Sequence, residues 1–199
     1  MQDIKTVRDL RRFQIVAAAR RIVAEQGLAA LTISTLEQSL DYTRGVITYH
    51  FANKDDIVGA VLDSAILEID VATTRTLSPG NTVDTEVAGI MRTKVEGFLD
   101  HVDAGRILMT FWSRIPADTD ASTKNARLFA TYRHQAEHLI KWVKSKQNIP
   151  RGLKPEGLAA VMVGCVIGVV AQSYFQADAF DREAAIKETI AVVAGRLRA

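Results

Sequence analysis

Cysteine, proline and glycine are scarce in this chain. The single cysteine, Cys165, cannot form an intrachain disulfide and cannot alone supply a thiolate zinc site. Only 4 prolines and 12 glycines interrupt 199 residues. Because an all-β fold needs frequent turns, this scarcity favours long helices. The lack of paired cysteines makes a reducing, cytoplasmic compartment the expected location.

A secretory signal and a convincing membrane span are also missing from the sequence. Residues 1–21 contain no continuous apolar stretch followed by a small-residue cleavage site. The long uncharged stretch from Gly157 to Ala177 has a strongly apolar part shorter than the roughly 20 residues that a span needs. We therefore expect no membrane partner, and we expect this stretch to be a helix buried within or between subunits.

The small net charge of +2 lies at the amino end of the chain. Through His50, seven lysines and arginines oppose five acidic residues, while the remainder is balanced. With 48% hydrophobic and 24% charged residues, the chain can bury a real core. The amino end is therefore predicted to be the electropositive part of a folded protein.

Apolar spacing and capping residues predict about nine helices and no persuasive strand. Thr6, Thr32 and Asn53 are placed to cap the first, second and fourth helices, and Gly27 supplies a left-handed stop. The fold class is therefore predicted to be all-α. The predicted helices cover about residues 7–26, 33–40, 44–50, 54–74, 83–101, 104–115, 121–147, 156–176 and 181–197.

The first three predicted helices form a helix-turn-helix pattern, since the last two are short and closely joined. Three segments, 11–19, 27–32 and 43–57, carry a further signal through Ala17-Ala18-Ala19, Gly27-Leu28 and Tyr49-His50-Phe51. Their order and spacing resemble the amino-terminal DNA-binding domain of TetR-type transcriptional regulators. The resemblance implies a DNA-binding domain over residues 1–52 and a helical effector-binding and dimerisation domain over residues 53–199.

The sequence departs from this family's usual pattern in and before the third helix. Glu37 and Leu40 replace small residues, Asp41 replaces a glycine, and Thr48 stands where an aromatic residue is common. These differences bear on which operator sequence is bound more than on the identity of the domain.

The third helix carries the groups expected to contact DNA. A recognition helix needs compact donors and acceptors on its outer face, and Arg44, Thr48 and Tyr49 provide them, while Gly45 permits close backbone approach. Ile47 is expected to pack inward. Helix starts offer free N–H groups to phosphates, so contacts there complete the predicted set. Thr32 and Lys54 stand at such starts, and Thr43 and His50 are the remaining residues of the predicted DNA-contact set.

Several of these residues have alternative roles. Thr32 is expected to act as an N-cap whether or not it contacts DNA. His50, which the resemblance places near a phosphate, could instead pack at a helix end. Arg8, Arg11 and Arg12 could be an ordinary solvated helix face or could neutralise the DNA backbone.

The last two helices are predicted to form a dimer contact. A protein with one recognition helix usually binds DNA as a two-fold pair. Gly164 and Gly168 permit close helix approach. The resemblance implies a four-helix interface, and burial inside one subunit is the alternative. The last helix would contribute Ile186, Ile190, Val193 and Leu197.

Aromatic residues of the middle helices are candidates for an effector cavity, although any one aromatic residue is more often part of a core than of a pocket. The resemblance implies such a cavity, and an apolar lining with few polar groups fits a small, mainly hydrophobic effector. The candidate residues are Phe98, His101, Phe111, Trp112 and Tyr132.

A competing enzyme signal lies in His134-Gln135-Ala136-Glu137-His138, which matches the H-x-x-E-H pattern of inverted zinc peptidases. A zinc site needs a third ligand, and no recognisable motif supplies one. We therefore predict no catalytic residue, no metal site and no cofactor. The expected function is a homodimeric, DNA-binding repressor released by a small molecule. The alternatives are a helical protein-interaction bundle and a metal-dependent hydrolase.

Overall fold

The computed structural model describes residues 6–78, 81–112 and 119–198, except for the side chains of residues 119–121. Over these ranges every regular element is helical, which confirms the all-α prediction. A short 3-10 helix at Leu28–Ala30, which the sequence analysis did not predict, follows the first α-helix. The α-helices are α1 Val7–Gln26, α2 Ile33–Leu40, α3 Arg44–His50, α4 Lys54–Thr73, α5 Val83–Asp100, α6 Val102–Trp112, α7 Thr119–Lys146, α8 Pro155–Phe175 and α9 Arg182–Leu197.

Side-chain caps mark the starts of α1, α2, α5 and α9. Thr6, Thr32, Thr82 and Asp181 each accept a hydrogen bond from the backbone N–H three residues later. Gly27 ends α1 with φ 81°, a conformation that disfavours any residue with a side chain. The helix bounds agree with the prediction to within two residues where they are described, but the predicted end of α6 at residue 115 lies outside the described residues.

The chain forms two compact units that interrupt each other in sequence. The first contains residues 1–68 and 103–122, and the second contains residues 69–102 and 123–199. Helix α4 is continuous through the point where the first unit ends and the second begins. The predicted division after residue 52 concerns the DNA-binding module and stays a prediction.

The helices at the amino end of the first unit pack around a buried hydrophobic core. Ile15 and Ala19 of α1, Leu36 of α2 and Ile47 of α3 are fully buried, and α1 contacts both α2 and α3. Phe51, directly after α3, is 2% exposed. This core fixes how α3 is presented to the outside.

The second unit is built on α5, which packs against α8 and α9. The Arg92 guanidinium on α5 donates two hydrogen bonds of 2.6 and 2.7 Å to the Glu183 carboxylate on α9. Gly97 brings α5 against the end of α4, since a Cβ there would lie 3.0 Å from the Ala72 carbonyl oxygen. The carboxyl end of α4 is therefore held by α5 within this unit.

Candidate nucleic-acid interface and ligand cavity

The third helix presents one face to the core and the other to the outside. Ile47 is fully buried, as predicted, while Arg44, Gly45 and Thr48 are exposed and Tyr49 is 68% exposed. The Thr48 hydroxyl donates 3.0 Å back to the Arg44 carbonyl, which leaves its oxygen lone pairs facing outward as acceptors. The exposed face of α3 therefore offers the donors and acceptors that a major-groove contact uses.

The turn before α3 is shaped by two residues. Asp41 ends α2 in the left-handed region with φ 54°, at the position where the family usually has glycine. The Tyr42 hydroxyl donates a 2.6 Å hydrogen bond to Oε1 of Gln14 on α1. The turn is thus tethered to the first helix, which limits how α3 can tilt.

Arg12 has a role that the sequence analysis missed. Its guanidinium donates a 3.0 Å hydrogen bond to the carbonyl of His50, the last residue of α3, and lies 4.1 Å from the ring centroid of Phe51. The last carbonyls of a helix lack internal partners and carry negative partial charge, so a cation there is favourable. Arg12 therefore fastens the end of the recognition helix to α1.

His50 lies in an electropositive setting. Burial lowers the pKa of His50, and Arg8, Arg11 and Arg12 lower it further by charge repulsion. Its Nδ1 atom is buried and has no hydrogen-bond partner among the described residues. An uncharged ring is consistent with packing at the helix end, and its predicted phosphate contact stays a prediction.

Three of the residues predicted to contact DNA occupy helix starts. Thr32 caps α2 through a reciprocal arrangement with Thr35. Thr43 holds the N-cap position of α3, but its side chain makes no capping hydrogen bond. Lys54 is exposed at the first position of α4, where Asn53 Oδ1 accepts from the Asp56 N–H at 2.9 Å.

Part of the amino-terminal positive charge is used inside the first unit. Arg20 pairs with Glu68 and donates 2.9 Å to the Ser64 hydroxyl, and Arg21 donates 2.8 Å to the Ser39 hydroxyl. Arg8 and Arg11 are exposed on α1. These two arginines, with Arg44 and Lys54, are exposed basic residues that can attract a polyanion.

A cavity of about 400 Å³ lies within the second unit. It is lined mainly by apolar side chains from α5, α7 and α8, with polar groups from α5, from α7 and from the segment after α4. The lining residues are Thr74, Arg75, Leu77, Ile90, Met91, Lys94, Phe98, Tyr132, His134, Gln135, Ala136, His138, Leu139, Met162, Val163, Val166 and Ile167.

The structure brings together two of the five residues predicted to bind a ligand. Phe98 and Tyr132 line the cavity with ring centroids 6.4 Å apart. His101 lies at the end of α5, while Phe111 is buried and Trp112 half-buried in α6 of the first unit. The other lining residues were missed because single residues on three helices give no local sequence signal.

Lys94 is the most strongly perturbed cation of the cavity. Burial lowers the pKa of Lys94 to about 8, and the Asp70 carboxylate opposes part of this effect. Burial and then Asp70 raise the pKa of the Tyr132 hydroxyl well above its usual range. At neutral pH the cavity therefore contains a mostly protonated ammonium and a protonated phenol.

The two histidines of the H-x-x-E-H segment are exposed on α7. The Nε2 atoms of His134 and His138 are 3.1 Å apart, so one ring donates and the other accepts. Within the described residues, no group of three or more histidine, cysteine, aspartate or glutamate side chains is placed to hold a metal ion. The segment instead contributes both rings to the lining of the cavity.

The predicted dimer residues fall into two groups. Ile186, Val193 and Leu197 are buried within the second unit, and Ile190 is half-buried. For the three buried side chains, the structure shows the alternative role of packing inside one subunit. Added Cβ atoms at Gly164 and Gly168 would meet nothing within 4 Å, so this face of α8 is open in one chain.

Helix α8 is long and apolar enough to cross a membrane by length and composition alone. Core helices of soluble proteins pass the same test, so this property is weak evidence for a span. Four α8 side chains, Met162, Val163, Val166 and Ile167, line the cavity.

Comparison with known proteins extends these observations. The family model described as bacterial regulatory proteins, tetR family, matches residues 15–61, from α1 into α4. The HTH-type transcriptional regulator BetI of Stenotrophomonas maltophilia is 23% identical over 165 residues, covering 80% of this chain and 81% of that protein. BetI of Burkholderia ambifaria is 22% identical over 159 residues, covering 79% and 81%.

Solved structures share the whole fold. A transcriptional regulator from Saccharomonospora viridis, in complex with choline, has a TM-score of 0.77 at 16% identity and covers 92% of this chain and 95% of that chain. NalD of Pseudomonas aeruginosa, the secondary repressor of the MexAB-OprM efflux pump, has a TM-score of 0.74 at 17% identity, with 96% of each chain covered.

The exposed α3 above a closed three-helix core identifies the chain as a helix-turn-helix, DNA-binding transcriptional regulator. The family model that matches residues 15–61 and the similarity to BetI over most of the chain support a regulator of the TetR-family type. Members of this family bind operator DNA and small-molecule effectors, and they are not enzymes.

Proposed function

We propose that this chain is a homodimeric, cytoplasmic repressor that leaves its operator when a small molecule fills the cavity of the second unit. The observation that carries this proposal is the cavity itself, about 400 Å³ in volume and lined mostly by apolar side chains. Effector pockets of this kind are apolar with a few placed polar groups.

Operator reading is assigned to the exposed face of α3. Arg44 and Tyr49 would contact base edges and Thr48 would contact a base or phosphate, while Lys54 at the start of α4 would grip a phosphate. Exposed Arg8 and Arg11 would add sequence-independent attraction.

Helix α4 is the proposed lever between ligand and DNA. Its first residue, Lys54, belongs to the first unit, and its last residue, Thr73, belongs to the second. Lys94 of the cavity donates a 3.4 Å hydrogen bond to the Thr73 hydroxyl, and Thr74 and Arg75 line the cavity. A ligand that displaces these groups would shift the end of α4 and disfavour the DNA-bound arrangement.

The open face of α8 and α9 is the proposed dimer contact. Val161 and Val192 are 50% and 55% exposed, and Phe175 is 91% exposed. Open space at Gly164 and Gly168 would let a second helix approach closely. Two chains joined here would present two α3 helices to half-sites roughly 34–36 Å apart.

Operator binding by purified full-length protein tests the proposal. Fluorescence anisotropy would compare the DNA flanking the protein's own gene with random DNA of equal length. Arg44→Ala should cost about 1–3 kcal/mol on the specific site and less on random DNA. Lys54→Ala should weaken both similarly and reduce the salt dependence. Equal losses on both DNAs for Arg44→Ala would make it a phosphate contact.

Sedimentation of a Gly168→Leu variant tests the assembly. The leucine should hold the two α8 helices apart, converting dimer to monomer and lowering operator affinity, while circular dichroism stays unchanged. A stable dimer with normal operator affinity would exclude this face as the interface.

A further inference from the structure

The charged groups that line the cavity of the second unit share one sign. Among the described lining residues, Arg75 and Lys94 are basic and none is acidic. The other polar lining groups are hydroxyls, an amide and two imidazoles. A buried ligand is selected by charge as well as by shape. The ligand charge that the cavity accepts therefore depends on whether each of these two cations already has an anion beside it.

Arg75 lies within ion-pair distance of a carboxylate, whereas the Asp70 carboxylate acts on Lys94 only from beyond that distance. The guanidinium of Arg75 lies 3.9 Å from the carboxylate of the buried Glu86. Lys94 Nζ donates 2.6 Å to Gln135 Oε1 and 3.4 Å to the Thr73 hydroxyl, both of which are neutral. In the described part of the chain, no carboxylate forms an ion pair with it. An ammonium has three N–H donors, so one remains for a ligand.

A second donor beside Lys94 also lacks an acceptor. Tyr132 is 7% exposed, and its hydroxyl has no hydrogen-bond partner among the described residues. Its ring centroid lies 5.9 Å from Lys94 Nζ. The Asp70 carboxylate acts on both groups, but it accepts a hydrogen bond from neither of them. The unpaired Tyr132 hydroxyl and the remaining N–H of Lys94 are therefore donors that an acceptor in the cavity could use.

We propose that the cavity binds a monocarboxylate with an apolar body, its carboxylate accepting from Lys94 and Tyr132. The apolar body would pack against Met91, Leu139 and Met162, which are nearly fully buried. This inference rests on the proposed function, in which the cavity is the effector site. A cationic ligand is disfavoured because it would add a positive charge beside Lys94 and Arg75 in a cavity whose described lining contains no acidic residue.

Three probes that share a ten-carbon chain separate the charge classes. Decanoate, decan-1-ol and decyltrimethylammonium would be titrated by calorimetry into full-length protein below their micelle-forming concentrations. Decanoate should bind roughly 10- to 100-fold more tightly than decan-1-ol, as expected for one hydrogen bond to a charged group. Decyltrimethylammonium should bind more weakly than either. Equal binding of decanoate and the alcohol, or tighter binding of the ammonium, would overturn the inference.

Variants at Lys94 assign the charge preference to this residue. Lys94→Met should weaken decanoate binding by roughly 10- to 100-fold and leave decan-1-ol nearly unchanged. Lys94→Arg should retain most of the preference, and Tyr132→Phe should lose a smaller part of it. Lys141→Met, an exposed lysine on α7, is the matched control and should bind all three probes normally. Unchanged decanoate affinity in a folded Lys94→Met protein would refute the assignment.

The pH dependence of decanoate affinity tests the role of the Lys94 charge, because apolar packing alone would not change with pH. The groups facing Lys94 are Asp70 and Thr73 of α4, Arg75 after it, and Tyr132 and Gln135 of α7, while α8 contributes only apolar side chains to the lining. Decanoate stays ionised from pH 6.5 to 9.5, whereas Lys94 with a pKa of about 8 loses its proton. Decanoate affinity should be level below about pH 8 and fall above it, while decan-1-ol shows no such fall.

Operator release is measured separately from binding. If decanoate binds as described but does not release operator DNA, the effector role fails and the ligand class stands. If decan-1-ol or the ammonium releases the operator and decanoate does not bind, the ligand class fails and the effector role stands.

Discussion

Replacing Arg12 with methionine tests how the recognition helix is held. Methionine keeps an unbranched side chain for packing but removes the guanidinium. The variant loses the 3.0 Å hydrogen bond to the His50 carbonyl and the contact 4.1 Å above Phe51. An exposed cation–π contact is worth about 0.5–1 kcal/mol, and a hydrogen bond contributes a net of about 0.5–1.5 kcal/mol. Relief of repulsion from Arg8 and Arg11 offsets part of this loss, so we expect about 1–2 kcal/mol.

Arg11→Met is the matched control, because Arg11 is exposed one position earlier on α1. Both variants lose one positive charge, and both should weaken operator binding through reduced phosphate attraction. Only Arg12→Met should also loosen the end of α3. Hydrogen exchange of the α3 amides and urea denaturation of the full chain would measure this difference. Operator affinity should fall further for Arg12→Met than for Arg11→Met at every salt concentration.

Two results would contradict the role of Arg12 in holding the end of α3. If Arg11→Met and Arg12→Met lower stability equally, the contact with α3 adds nothing beyond charge. If α3 exchange is unchanged in Arg12→Met while operator affinity still falls, Arg12 acts on the DNA backbone and not on the helix.

Two further predictions concern backbone positions. Gly97→Ala would place a Cβ 2.8 Å from Thr73 Cγ2 and 3.0 Å from the Ala72 carbonyl, so we expect a net loss of about 1–2 kcal/mol despite the better helix propensity of alanine. Gly157→Ala, whose nearest contact would be 4.0 Å, should be neutral or stabilising by up to about 1 kcal/mol, and equal effects in urea denaturation would contradict the steric argument. Asp41 adopts a φ of 54°, which glycine adopts without steric strain, so Asp41→Gly should stabilise the first unit by about 0.5–1 kcal/mol. A lower urea midpoint for unfolding would contradict this prediction.

The helices could be predicted because their signals are local. A cap such as Thr6 or Thr32 acts three residues away, and the left-handed Gly27 stops α1 where it stands. The inward direction of Ile47 followed from its place among the outward-facing residues of α3. These features depend on neighbours in sequence, so they need no knowledge of tertiary packing.

The contacts that define the two candidate sites join residues far apart in sequence. Arg12 and His50 are 38 positions apart, and Lys94 and Gln135 are 41 apart. Arg12 lies beside Arg11 and has the same charge, so composition cannot separate a residue that fastens α3 from one that faces solvent. Phe111 and Trp112 were predicted to line the cavity because they are aromatic. Aromatic character does not show which of the two hydrophobic cores a side chain enters.

The two units use positive charge in opposite physical settings. Arg8, Arg11, Arg44 and Lys54 are exposed in water, where their attraction for a polyanion is long-ranged, weakened by salt and indifferent to base sequence. Lys94 is half-buried in the cavity, where an ammonium that Asp70 offsets only in part distinguishes between an anion, a neutral molecule and a cation. Exposed cations therefore contribute affinity for DNA, whereas a buried cation contributes selectivity for a ligand. Moving the charge from Lys94 to the surface would leave the net charge of the chain unchanged and would remove that selectivity.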